Sequence, residues 1–213
     1  EVTASFYALL NERCKRISAL TQRTPMKYKF AAFIRTVLSK FGNRTMGSDN
    51  LSFFTQRQHP QWDVVDVKQI ATTAIQQVLE AYEQKAPNIE LRHPDEMLLT
   101  YGDTQWLTMA IGNLLTNSVE NAPLNSTSAI EIVKQEKTIE INVLDEGPGV
   151  VPGNEYKIFK PFYTTRPGST GLGLANVRTV MEKHGGGIRV GNQQKGGAIF
   201  TLVLQTLSRQ QAA

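Results

Sequence analysis

Apolar positions recur at helical spacing through residues 1–41. Phe6, Leu9, Leu10, Ile17 and Leu20 make one stripe, and Phe30, Phe33, Ile34, Val37, Leu38 and Phe41 make a second. Thr24-Pro25 falls between them and ends or kinks a helix, because proline lacks an N–H and crowds the preceding turn. The run GNRTMGSDN (42–50) is a turn by composition, LSFFTQRQ a short helical end, and HPQWDVV a linker.

Beyond the linker the pattern sharpens. Asp66 and Gln69 have capping-box spacing, and Val67, Ile70, Ala71, Ala74, Ile75, Val78, Leu79 and Tyr82 follow on one helical face. NIELRH and EMLLTY are strand candidates. Asp103 then caps a helix through Leu107, Ala110, Ile111, Leu114 and Leu115. AIEIVKQ and TIEINVLD alternate with period two, a helix is expected over residues 171–184, and strands GIRV and AIFTLVLQ close the chain. Helices and strands in this order predict an α+β fold. It is a two-layer α/β sandwich with a mixed sheet covered by helices on one face, preceded by a helical, hairpin-like dimerisation segment. The expected boundary puts residues 1–60 in the helical segment and 61–213 in the sandwich.

Composition narrows the function only a little. The chain has 213 residues, 40% of them hydrophobic and 20% charged, as an ordinary globular protein does. A net charge of +4 with scattered Lys and Arg gives no nucleic-acid surface. No apolar run approaches the ~20 residues of a membrane span, and no signal peptide is visible. The first residue is Glu1 rather than Met, so a fragment of a longer protein is expected, with any membrane segment outside it. Cys14 is alone, which excludes an internal disulfide and favours a cytoplasmic setting.

Three ordered motifs carry the chemistry. In NLLTN, Asn113 and Asn117 lie four apart and project from one helical face. An amide oxygen there suits Mg²⁺, a hard cation that prefers oxygen; taken alone, the pair is equally a solvated polar face. In DEGPGV, Asp145 ends an apolar strand and can accept a hydrogen bond from the exocyclic amine of adenine. Gly147 and Gly149 let the backbone approach the base without a Cβ. An Asp-Gly turn is also common in any protein. In GSTGLGLANV, Gly168, Gly171 and Gly173 flank Thr170 and open a helix whose unpaired N–H groups and dipole favour phosphate. Arg166, just upstream, can meet a terminal phosphate, although a lone loop arginine is more often solvated. Phe159 and Phe162 on either side of Pro161 form either a satellite apolar cluster or the anchor of a lid.

NLLTN, DEGPGV, IFKPFYTT, GSTGLGL and GGAIFTL resemble the N, G1, F, G2 and G3 boxes of sensor histidine kinases over residues 61–206. These share an ATP-binding fold with DNA gyrase, Hsp90 and MutL. The resemblance implies bound Mg-ATP and γ-phosphoryl transfer to a histidine in two-component signalling. It makes Asn117 the Mg²⁺ ligand and Asp145 the adenine contact. Phe159, Phe162, Thr170, Gly171, Leu172, Gly173 and Leu174 belong to the lid and its hinge, with Thr201 added from the closing strand. Asn113 and Arg166 take the catalytic positions. It also implies a cognate response regulator, a homodimer through the N-terminal helices, and a cytoplasmic module of a sensor that can itself be anchored in an inner membrane.

Hydrolysing relatives carry a Glu four residues before the metal-binding Asn, where it activates water as a base. Asn113 occupies that position here, and an amide takes no proton from water, so transfer to a protein acceptor is expected over hydrolysis. Glu120 and Asn121 stand where the family often places a basic and an aromatic residue. The acceptor run is missing too. The nearest echo, LTQRTPM (20–26), has Leu20 in the histidine's place, and the only histidines are His59, His93 and His184. His184 sits at a helix end and is expected to be structural. Three explanations stay open: an acceptor upstream of Glu1, a degenerate hairpin in a protein acting in trans or as a regulatory binding module, or an unconventional acceptor.

Overall fold

The computed structural model describes residues 60–166 and 169–207. The helical stripes of residues 1–41, Cys14, the echo of the acceptor run, His59 and Gly168 lie outside them. Residues 60–163 and 171–207 belong to one compact unit, whereas Thr164–Thr170 groups with a different one.

The main unit begins with a strand where a linker was expected. Strand β1 (Asp63–Asp66) leads directly into α1 (Val67–Ala81). It pairs antiparallel with β3 (Leu99–Gly102), Val64 opposite Tyr101 and Asp66 opposite Leu99. The polar flank of HPQW hid a run of only four extended residues, held by a partner some 35 positions away in sequence, as its register shows. Asp66 caps α1 by accepting from the Lys68 N–H at 3.0 Å. Gln69 makes no return bond, because Asp66 is at once the cap and the last rung of the β1–β3 ladder.

The larger sheet has order β2-β4-β5-β7-β6. Its strands are β2 (Asn88–Arg92), β4 (Thr127–Lys134), β5 (Thr138–Leu144), β6 (Gly187–Asn192) and β7 (Ala198–Gln205). Only β2 and β4 run parallel; the other neighbours are antiparallel. Period-two burial marks the covered face. Ile139, Ile141 and Val143 of β5 and Phe200, Leu202 and Leu204 of β7 point into the core.

Helix α2 (Thr104–Asn121) lies between α1 and α3 (Gly173–Lys183) on that face. Its buried residues, among them Leu107, Ile111, Leu114 and Leu115, meet the sheet and both neighbouring helices. Each such side chain stabilises the layer by roughly 1.5–3 kcal/mol. This is the predicted sandwich, with β1 and β3 forming a separate two-stranded sheet.

One buried polar cluster joins β3, α2 and α3. Asp103 caps α2 through Oδ1, which accepts from the Trp106 N–H at 2.9 Å, while Oδ2 accepts from Gln61 N at 2.5 Å. The Asp103 N–H donates to His184 Nε2 at 3.0 Å, and His184 Nδ1 lies 2.8 Å from the Val180 carbonyl. That network assigns the proton to Nδ1. Trp62 and Trp106 pack on the imidazole, with ring centroids at 4.9 and 6.4 Å. Gly102 makes room for it, since a Cβ there would lie 2.9 Å from His184 Cδ2. Burial holds the His184 pKa below its ordinary 6.5, against the opposing pulls of the Val180 carbonyl and the Asp103 charge. His184 is structural, as expected.

Candidate nucleotide site

Asp145 follows the last residue of β5 and is buried. Its Oδ1 accepts two backbone N–H groups, Gly147 at 2.8 Å and Ala198 at 3.0 Å. The carboxylate is thereby fixed in direction, with Oδ2 left to accept from an incoming donor. Gly147 packs closely in this turn, since a Cβ would stand 3.0 Å from Asp145 Oδ1 and 3.1 Å from the Asn121 carbonyl and would crowd both. The same closeness sets the DEGPGV turn against the C-terminal end of α2. There the Asn121 amide donates to the Asn117 carbonyl at 2.7 Å.

Asn113 and Asn117 share α2 as predicted. Asn117 is half-buried. Asn113 is buried, and its Nδ2 has no hydrogen-bond partner, an orphan that desolvation makes costly unless an acceptor arrives. Its amide lies against the start of α3, with Oδ1 3.6 Å from where a Gly173 Cβ would be. Helix α3 takes no side-chain cap from its N-cap residue, Leu172. Together these place an unpaired amide beside the positive end of a helix, as an anionic ligand would need.

Phe162 and Gly171 close the base of the 163–170 segment. Both have positive φ, +67° and +64°, and the Phe162 N–H donates to the Gly171 carbonyl at 2.9 Å. A Cβ at Gly171 would fall 2.6 Å from the Phe162 carbonyl carbon, so only glycine fits. Inside the segment, the Thr164 hydroxyl accepts from Arg166 N at 3.0 Å and lies 3.1 Å from Ser169 Oγ. Arg166 and Thr170 are in this segment, outside the unit that holds the other site residues. Gly149 also has a positive φ, +75°, and Asn192 clamps the next residue by bonding both Val150 N and O.

Several expected contacts lie elsewhere. Phe159 is a core residue, edge-on to Phe200 at 6.5 Å, whereas Phe162 is exposed. The Leu172 side chain is buried in the core, leaving its backbone at the start of α3, and Leu174 is half-buried. Thr201 does not join the cluster. Its hydroxyl donates to Asn142 Oδ1 at 2.7 Å, and it is out of phase with the inward-facing Phe200 and Leu202, hence on the opposite side of the sheet. In its place β7 contributes the Ala198 N–H, and the β6–β7 turn contributes Gln193. The residue string gives the turn through Gly196-Gly197 but not its position beside Asp145, which depends on how β5 and β7 align.

Residues 102–208 match the family described as histidine kinase-, DNA gyrase B-, and HSP90-like ATPase. The chain belongs to this family. It is 30% identical to the sensor histidine kinase ZraS of Salmonella typhimurium over 72% of its own length and 33% of that protein's. It is 32% identical to the sensor-like histidine kinase SenX3 of Mycobacterium tuberculosis over 70% of this chain and 37% of that one. The solved mycobacterial sensor histidine kinase MprB superposes with a TM-score of 0.62 at 25% identity, covering 68% of this chain and 98% of that one. The chain thus spans about a third of the curated relatives it matches. Among the described residues, no helix is long and apolar enough to cross a membrane.

Proposed function

We propose that this chain is the ATP-binding phosphotransfer module of a sensor histidine kinase, passing the γ-phosphoryl group to a histidine. The observation that carries the reading is the pairing of a directed carboxylate with an orphaned amide at a helix start. Asp145 Oδ2 accepts from the adenine amine, while Asn113 Nδ2 and the first turn of α3 receive phosphate oxygens. Mg²⁺ fits through the Asn117 amide oxygen together with the phosphates, since this cation commonly takes only one or two protein oxygens. Its chemistry there is neutralisation of phosphate charge. Gly171 and Phe162 form the hinge of the lid, and Arg166 and Thr170 reach the phosphates on closure. Asn113 supplies no general base, so water is not activated and the nucleophile comes from a protein acceptor.

His184 is excluded as that acceptor, because it is buried and both ring nitrogens are engaged. That leaves His59, His93, a histidine preceding Glu1 or a histidine in trans as the acceptor, and the module works with a response regulator and as a dimer through its N-terminal segment. A second reading is a regulatory binding module that holds nucleotide without transfer. It is favoured by Glu120, which bonds the Tyr82 hydroxyl at 2.6 Å where a basic residue often stands.

Incubation with γ-labelled Mg-ATP, with and without separate histidine acceptor domains, separates the two readings. Acid-labile, base-stable label on protein is the expected result. Bound nucleotide with no label in either arrangement selects the binding module, and rapid phosphate release contradicts the role given to Asn113.

A further inference from the structure

The Asp145–Ala198 pair is an incomplete rung. Residues directly opposite in an antiparallel hydrogen-bonded pair exchange two bonds, each N–H to the other's carbonyl. Here the Asp145 N–H donates to the Ala198 carbonyl at 3.1 Å, as a rung should. The Ala198 N–H instead goes to the Asp145 carboxylate Oδ1 at 3.0 Å. The Asp145 carbonyl has lost its ladder donor at a buried residue. Gln193 replaces it: its Nε2 donates to the Asp145 carbonyl at 2.6 Å and to the Ala198 carbonyl at 3.1 Å.

The turn carrying Gln193 is shaped for this approach. Gln193 N donates to the Gly197 carbonyl at 2.9 Å. Gly197 has a φ of +92°, and a Cβ there would sit 1.8 Å from the Asp145 carbonyl oxygen. The backbone is thus drawn up against Asp145 more closely than any other residue type permits. Two acceptors on Asp145, carbonyl and carboxylate, compete for one Ala198 N–H. Whichever group satisfies the carbonyl decides that the carboxylate wins.

We infer that Gln193 is a positioning residue for base recognition, holding the Asp145 carboxylate in the direction that reads the 6-amino group of adenine. The inference rests on the reading of Asp145 as the adenine contact. Without the Gln193 donor, the Ala198 N–H returns to the Asp145 carbonyl, Oδ1 keeps only the Gly147 N–H, and the carboxylate, no longer held from two sides, loses its aim. The loss falls on discrimination of the base, because the phosphates are met elsewhere, at Asn113 and α3.

The test compares Mg-ATP with Mg-ITP, in which a 6-oxo group replaces the 6-amino group, on the full chain. A hydrogen bond to a charged acceptor predicts that the unaltered chain prefers ATP by about ten- to a hundredfold. Gln193→Met, similar in length and lacking a donor, is expected to bring the two affinities within about threefold by weakening ATP alone. Gln193→Asn, one methylene too short to reach, gives the same result and serves if the methionine variant folds poorly. If either folded variant keeps the original preference, or loses affinity for both nucleotides equally, Gln193 is merely structural and the inference fails. Asp145→Asn separates the layers. If it too leaves the preference intact, or if the unaltered chain shows none, the adenine reading itself is wrong. If it abolishes the preference while the Gln193 variants retain it, only the role of Gln193 falls.

Discussion

His184 shows how a single residue couples the fold to pH. Its neutral form accepts from the Asp103 N–H through Nε2 and gives its Nδ1 proton to Val180. Protonation would set one N–H against another. Its pKa is lowered in the folded state, chiefly by burial, so the unfolded chain binds the proton first as pH falls. The stabilising contribution is complete above the unfolded value of about 6.5 and is lost progressively below it, until the folded-state pKa is passed. Denaturant titrations from pH 7.5 to 5 are expected to show stability falling by up to ~1.4 kcal/mol per pH unit below 6.5. His184→Gln, which retains an acceptor but does not titrate, should flatten that part of the profile. An unchanged slope would remove His184 as its source.

Elements differ in how far the residue string reveals them. The α1, α2 and α3 regions were legible because caps and 3.6-residue periodicity are local: Asp66 and Asp103 do cap helices. Strands β4, β5 and β7 were legible from alternation, since one face is buried and the other is not. Strand β1 was not, because four residues pair only by virtue of a distant partner. The site follows the same rule. Asn113, Asn117, Asp145 and the hinge glycine Gly171 stood out through motif spacing, whereas Ala198 and Gln193 act through a backbone N–H and a cross-strand amide. Thr201 was misplaced because a string of residues does not say which face a strand residue takes relative to a site beyond its end. The β6–β7 turn is the most exacting element. Gly197→Ala meets both a left-handed φ and a 1.8 Å clash, and is expected to cost about 1–3 kcal/mol or more in urea unfolding. A cost below a few tenths would mean that the turn yields freely and does not constrain Asp145.

At the scale of the molecule, helices cover one face of the five-stranded sheet, and the proposed nucleotide site draws on residues of both layers. In the proposed function, α2 holds Asn113 and Asn117, the β5–β7 rung holds Asp145, and the start of α3 offers its N-terminal N–H groups. The proposed base contact, Asp145, lies in one compact unit, and Arg166 and Thr170 belong to the other. In the proposed function this division separates recognition, which needs a fixed acceptor, from phosphoryl transfer, which needs a closing lid.

The account stands first on Mg-ATP binding through Asp145. The decisive measurement is a calorimetric titration of the full chain and of its Asp145→Asn variant with Mg-ATP. The unaltered chain should bind, and the variant should bind about ten- to a hundredfold more weakly while melting within a few degrees of it. No binding by the unaltered chain, or equal affinity in the two, would contradict the account.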